Sequence, residues 1–430
     1  MKEFFKSIIV KIITAEASVI LRRHKPKIVA VVGSVGKTST KDAIYAAVKN
    51  SISVRKSEKS FNSEIGVPLT VLGLPNGENN PFAWMRNIID GFFAAFFSRQ
   101  YPEVLILETG IDRMGDMSRL ASWVKPDMVV LTRLPAMPVH VEYFKSPDAV
   151  VAEKMILVSA LKSDGVLVYN ADDTIIEKHL PEVLQRQVGF SRYLESDFTA
   201  RKDKTVYTDD QPAGTEFTLS HQGEDYKIFI TGTVGSQNVY TCSAAIAVAN
   251  ELDIPLVEAV NSIHSLQSPN GRMRIIPGIK ASVLIDDTYN ASPAATEQAL
   301  LTLEELTHAK RKIAVLGDML ELGKFSSDEH TKIGNKVPQV ADILFTVGVR
   351  ARQFAEGAMA AGMSEENIFQ YDEVDRAGRE LQAILEPGDV VLIKASQGIR
   401  AERIVEEVMA NPERAGELLV RQEKLWQGIE

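Results

Sequence analysis

Cysteine is almost absent from this chain: one residue, Cys242, in 430. That excludes an intrachain disulfide framework and any multi-cysteine zinc ribbon, and it suits a reducing cytoplasm. A basic excess is also missing. Lys and Arg number 48 against 57 Asp and Glu, a net charge of -9, which argues against a general nucleic-acid binder. No stretch approaches the roughly 20 uninterrupted apolar residues of a spanning helix. The N-terminus, "MKEFFKSIIVKIITAEASVILRRHKPK", is broken by Lys6 and Lys11. No small-residue cleavage site follows it, which argues against a signal peptide. No fixed-period repeat and no low-complexity tract is present.

What the chain does have is alternation. Its 45% hydrophobic and 24% charged content suits a soluble globular protein of two domains, or three. From residue 27, short β-branched runs alternate with helical sequence: "KIVAVVG", "EVLILETG" (103–110), "DMVVLTRL" (127–134), "GVLVYNADD" (165–173). The alternation predicts a doubly wound, mainly parallel α/β sheet. Residues 186–231 are polar and turn-rich, and read as an antiparallel excursion of short strands. Turn formers in "QSPNGRMR" (267–274) mark a boundary. A second, smaller Rossmann-like α/β pattern follows. It lacks a G-x-G-x-x-G turn, so dinucleotide binding is not indicated.

Two apolar stripes have helical spacing. Phe5, Ile8, Ile9, Ile12, Ile13, Val19 and Ile20, interrupted by Glu16, predict an amphipathic helix within 1–27. It either packs on the following domain or lies on a membrane surface. Met85, Ile88, Ile89, Phe92, Phe93, Phe96 and Phe97 form the second stripe. Core packing is the ordinary cause of such a stripe; contact with a membrane or a greasy substrate carrier is the alternative.

"GSVGKTST" follows the first strand and opens a helix. Gly33, Gly36, Lys37 and Thr38 make G-x-x-G-K-T, and Ser39 follows them. Backbone N–H groups at such a helix N-terminus favour phosphate oxygens. Lys37 would reach the outer phosphates and the Thr38 hydroxyl would ligate Mg²⁺. The eight-residue pattern asks for glycine where Val31 stands. A switch GTPase is excluded: "DRMG" (112–115) fits D-x-x-G, but no N-K-x-D stretch for guanine exists.

Further segments follow in order: "FNSEIGVPL", "LILETG" with Glu108 ending a strand, "VHVEYFKSPDAVVAEK" with His140 and Lys154, "NGRM", "DDTYNASP", "LGDMLELG" and "VLIKAS". Together with the glycine loop they resemble the Mur ligase family, ATP-dependent ligases that join an amino acid or peptide to a carboxylate. The likeness is to its D-alanyl-D-alanine-adding branch, whose patterns are F-N-N-E-I-G-V-P-L, D-D-S-Y-N-A-N-P and L-G-D-M-x-E-L-G. It implies a phosphate-loop ATPase domain over 28–268, a C-terminal Rossmann-like domain over 269–430, and a monomer working on peptide substrates of cell-wall synthesis in the cytoplasm. Folylpolyglutamate synthases and other amide ligases share the fold. An inactive ATP-binding partner in a cell-wall assembly is the reading from another class.

The resemblance also implies roles. A substrate carboxylate attacks the γ-phosphate of ATP, and an amine then attacks the acyl phosphate. Lys37, His140 and Lys154 would carry catalysis. Thr38 and Glu108 resemble ligands of a first Mg²⁺, and His140 and Lys154 serve a second, with Lys154 carbamylated by CO₂. A plain surface lysine pairing with Glu153 or Asp148 is the alternative for Lys154. Asn238 matches an adenine contact, Arg272 one to the γ-phosphate, and Asp287, with Tyr289 beside it, one to the ribose. The loop begins only about 30 residues into the chain. Such enzymes carry an N-terminal domain that holds a uridine-diphosphate end. It is expected to be lacking here, so the acceptor stays open.

Overall fold

The computed structural model describes residues 2–58, 61–423 and 426. The Phe5 side chain of the N-terminal stripe lies outside the described residues. Helix α1 (Lys2–His24) leads into β1 (Lys27–Val32), α2 (Lys37–Val48) and β2 (Val54–Lys56). Helices α3 (Gly66–Leu72) and α4 (Pro81–Phe97) precede β3 (Val104–Glu108), α5 (Asp116–Ala121) and β4 (Met128–Leu131). Then come α6 (Pro147–Ser159), β5 (Val166–Asn170), α7 (Thr174–His179) and β6 (Arg186–Ser191). Strands β7 (Phe198–Thr208), β8 (Gln211–His221) and β9 (Glu224–Thr231) complete a nine-stranded sheet ordered β2-β3-β1-β4-β5-β6-β7-β8-β9.

Alternate residues of the central strands serve opposite faces, as a pleat requires. Val29 and Val31 of β1, with Val104 and Ile106 of β3, pack under α2 and α8 (Gln237–Glu251). Ile28, Leu105 and Leu107 face α1, α3 and α4. Both faces are thus covered, as the doubly wound reading predicts. The excursion after residue 186 differs from expectation in two ways. Strand β6 still pairs parallel with β5, and β7, β8 and β9 are long, at 11, 11 and 8 residues. They extend the same sheet because Phe217, Leu219, Ile228 and Ile230 bury against α8 and α9 (Leu256–Ile263).

The second sheet holds β10 (Arg274–Pro277), β11 (Val283–Asp287), β12 (Arg311–Gly317), β13 (Ile343–Val347), β14 (Ile368–Tyr371) and β15 (Asp389–Lys394). Helix α10 (Pro293–Glu305) follows β11. The order is β10-β11-β15-β12-β13-β14, parallel except at β10. One apolar cluster runs from Val32 and Leu131 through Met273 to Leu316 and Met319, joining the two sheets.

Helix α1 packs on the first domain through Ile13, Ala17 and Ile20. The second stripe is a correction. In α4 the buried residues are Asn87, Gly91 and Ala95. Of the stripe, Ile88 is partly buried, whereas Met85, Ile89, Phe92, Phe93, Phe96 and Phe97 are exposed. The small face lets α4 approach α1 closely, so the large side chains turn outward.

Candidate active site

The phosphate loop is shaped by what stands beside it. Strand β1 ends at Val32, and a Cβ on Gly33 would lie 2.1 Å from Thr132 Oγ1. Only glycine permits that approach to the end of β4. The Ser34 N–H donates to Arg133 O at 2.8 Å, and the Thr132 hydroxyl donates to Val35 O at 2.7 Å. Gly36 takes a left-handed φ of 85° and caps α2, whose first residues are Lys37, Thr38 and the half-buried Ser39. The N–H groups of that first turn point along the helix axis and give the anion site its sign.

Glu108 ends β3 and is 1% exposed. Its Oε1 accepts from Thr38 Oγ1 at 3.1 Å and from Asn62 Nδ2 at 3.4 Å. Lys41, one turn beyond Lys37, brings a buried ammonium to 3.8 Å from Oε2. Oε2 itself is buried without a hydrogen-bond partner. A buried carboxylate oxygen left over beside a hydroxyl fits a hard divalent cation that takes its remaining ligands from phosphate and water. Among the described residues, no three His, Cys, Asp or Glu side chains converge into a metal cage. Glu108 and His140 therefore do not form a protein-only centre.

Lys154 lies in α6 and is 2% exposed, so the surface-lysine alternative fails. Its Nζ donates to Gly33 O at 3.2 Å. Burial holds its pKa well below the ordinary lysine value, and Lys37 pushes it the same way; only Asp112 opposes them. Glu153 is engaged elsewhere: its Oε1 accepts from Gly115 N and Met117 N, each at 2.9 Å, at the start of α5. Burial also lowers the Lys37 pKa, while Glu108 supports its charge.

His140 sits in a left-handed turn with φ 66°. Its Nδ1 lies 2.9 Å from Glu321 Oε2, a contact between the domains. Arg272 reaches the same region as Lys37, whose charge it disfavours. Its guanidinium stacks 4.1 Å above the Tyr289 ring, and its buried Nε has no partner. Asp287 is paired: Lys394 Nζ donates to its Oδ2 at 2.5 Å. Asn238 turns inward. Its Nδ2 donates to Thr233 Oγ1, Val234 O and Gly235 O, while Gln237, Tyr240 and Thr241 face the adjoining cavity.

Two cavities lie near this cluster, with no lining residue in common. One, of about 890 Å³, runs from Gly36 past Asn170 and Asp173 to Tyr240 and Gln298. The other, of about 1370 Å³, runs from Asn62, Asp112, His140 and Glu321 to Lys11 and Arg22 of α1. Sequence reasoning singled out Lys37, Thr38, Glu108, Lys154 and Arg272, which the fold brings together. It missed Lys41, Asn62 and the roles of Glu321 and Lys394. Lys41 carried one signal, its i+4 spacing from Lys37 on the helix that opens the loop.

A parallel strand feeding a glycine loop and a helix N-terminus marks the first half as a phosphate-loop nucleotide-binding domain, joined to a Rossmann-like second domain. Residues 89–249 match the Mur ligase middle domain, and residues 271–397 match the Mur ligase, glutamate ligase domain. The chain belongs to the Mur ligase family, ATP-dependent ligases that form amide bonds. It is 29% identical over 399 residues to the UDP-N-acetylmuramoyl-tripeptide--D-alanyl-D-alanine ligase of Bacillus subtilis, covering 92% of this chain and 79% of that one. MurF ligase from Thermotoga maritima in complex with ADP superposes with a TM-score of 0.75 at 24% identity, over 93% of this chain and 83% of that one. Folylpolyglutamate synthase of Mycobacterium tuberculosis, complexed with ADP, reaches 0.62 at 14% identity, over 92% and 94%.

Proposed function

We propose that this protein joins a D-alanyl-D-alanine-type dipeptide to the peptide carboxylate of a cell-wall precursor, driven by ATP. The observation that carries the reading is the buried Lys154 on the Gly33 carbonyl of the phosphate loop, beside Lys37. The names of the curated relatives supply the substrates. ATP occupies the cavity on the Tyr240 side, with its phosphates on the first turn of α2. The acceptor lies in the other cavity and presents its carboxylate toward Lys37 and Arg272. Oxygen attacks the γ-phosphorus and ADP leaves. The dipeptide amine then attacks the acyl carbon, the C–O bond to phosphate breaks, and the amine gives up a proton.

Phosphoryl transfer asks for positioning and neutralised charge. Lys37 and Arg272 supply cations and the α2 N-terminus supplies N–H donors. Thr38 and Glu108 would hold Mg²⁺, which would neutralise phosphate charge. Lys154, whose charge is disfavoured by burial and by Lys37, is suited to add CO₂: an N–C bond forms, a proton leaves, and a carbamate anion replaces the amine. One copy holds every residue used, so the working unit is the monomer.

Phosphate release tests this reading with UDP-N-acetylmuramoyl-tripeptide, simpler peptides and folate, each with and without D-alanyl-D-alanine, and folate also with glutamate. Turnover that needs both the muramoyl peptide and the dipeptide is expected. Turnover on folate and glutamate, or on no pair, would overturn it. An inactive ATP-binding partner has no use for the buried Lys154 and the spare Glu108 oxygen.

A further inference from the structure

The outer face of α4 is the largest feature the ligase reading leaves unused. Phe82, Met85, Ile89, Phe92, Phe93, Phe96 and Phe97 are 47–76% exposed. At 100° per residue they fill a stripe about 140° wide, centred opposite Gly91, the middle of the buried face. The rings of Phe92 and Phe96, 4.8 Å apart, and of Phe93 and Phe97, 5.7 Å apart, pack on one another along the surface. Taking about 200 Å² for a large apolar side chain, the exposed area is roughly 800 Å², beyond the roughly 300–600 Å² of a typical monomer's largest patch.

Charge indicates what covers this face. Residues 1–27 and 81–99, which hold α1 and α4, carry nine Lys and Arg against three Asp and Glu; the rest of the chain carries 39 against 54. Arg86 lies within the stripe and is 82% exposed, in a surface pair with Asp90 at 3.2 Å; Arg99 follows its end, and Arg23 reaches the end of α4 through Ala95 O at 3.1 Å. A second copy would set one cationic unit against another, a repulsive arrangement. An anionic lipid surface complements both the apolar stripe and its basic margin. Among the described residues no helix is long and apolar enough to cross a membrane. The 17 residues of α4 therefore lie along the surface.

We propose that the outer face of α4 docks on an anionic membrane surface, its phenylalanines in the headgroup boundary and Arg23, Arg86 and Arg99 on the lipid phosphates. Vesicle co-sedimentation of the full chain tests this. With phosphatidylglycerol–phosphatidylcholine vesicles the protein is expected in the pellet. Partitioning should fall at least tenfold with pure phosphatidylcholine, and again for the F93S/F97S double variant, whose ADP binding stays unchanged. Protein that stays in the supernatant with anionic vesicles overturns the proposal. So does a variant that sediments like the wild type. A concentration-dependent dimer that F93S/F97S abolishes would assign the face to a second copy and overturn it equally.

Discussion

The two domains each bury a lysine at 2% exposure, and the two side chains have different partners. Lys394 ends β15 with a carboxylate on its ammonium, Asp287, and a second acceptor in Asn290 O at 3.0 Å. Lys154 has one backbone carbonyl, at 3.2 Å, and a cation, Lys37, for a neighbour. Burial lowers both pKa values, but the Asp287 charge and hydrogen bond oppose the shift at Lys394. Burial by itself therefore does not mark a reactive amine. A buried lysine with no carboxylate bonded to it is a poor structural element and a good nucleophile, whereas a paired one ties β11 to β15.

Substitution should separate the two. Lys154→Met is expected to cut kcat by about 10³-fold or more, the scale of losing a preorganised charged group, while ADP affinity and Tm hold. Steady-state phosphate release and calorimetry check both halves. Lys394→Met should instead destabilise the fold by about 3–5 kcal/mol, because Asp287 is left charged and buried. The K394M/D287L double variant should regain most of that in urea unfolding. A Tm loss at Lys154 matching that at Lys394 would dissolve the comparison.

Contacts across the domain junction sharpen it further. Glu321→Ala removes the carboxylate 2.9 Å from His140 Nδ1. On the metal-ligand role that the family resemblance implies for His140, Mn²⁺ affinity in the presence of ADP should then weaken by about 10–100-fold, the usual effect of losing a partner of a histidine ligand, with less effect for Glu321→Gln. Titration calorimetry reads this without turnover.

The smallest effect belongs to Glu16, between α1 and α4. It is 8% exposed, one carboxylate oxygen lacks a partner, and burial raises its pKa from 4.5 to about 7. The folded state keeps this proton where the unfolded chain has lost it, so stability falls as pH rises from about 4.5 to about 7. Glu16→Gln should remove that slope and stabilise the protein at pH 8 by on the order of 1–3 kcal/mol, read from urea midpoints across pH.

Local signals were the legible ones. Strand, loop and helix around Gly33 and Gly36 follow from β-branched runs and glycine, and Glu108 at a strand end follows from chain order. The pairing of His140 with Glu321, 181 residues on, has no local signature; nor has that of Asp287 with Lys394. Periodicity in α4 defined two faces but not which one is buried. Gly91 and Ala95 won because they let α1 approach, against the larger apolar gain of burying the phenylalanines. Asn238 shows the same limit. Its place at the start of α8 was readable, but the turn of its amide toward Thr233 depends on a loop whose path the sequence does not encode locally.

The most direct test of the contrast between the lysines is ¹³C NMR of the protein equilibrated with ¹³C-bicarbonate, ADP and Mg²⁺. One carbamate resonance is predicted, lost in Lys154→Arg and retained in Lys394→Arg. No carbamate signal, or one that survives Lys154→Arg, would contradict the account.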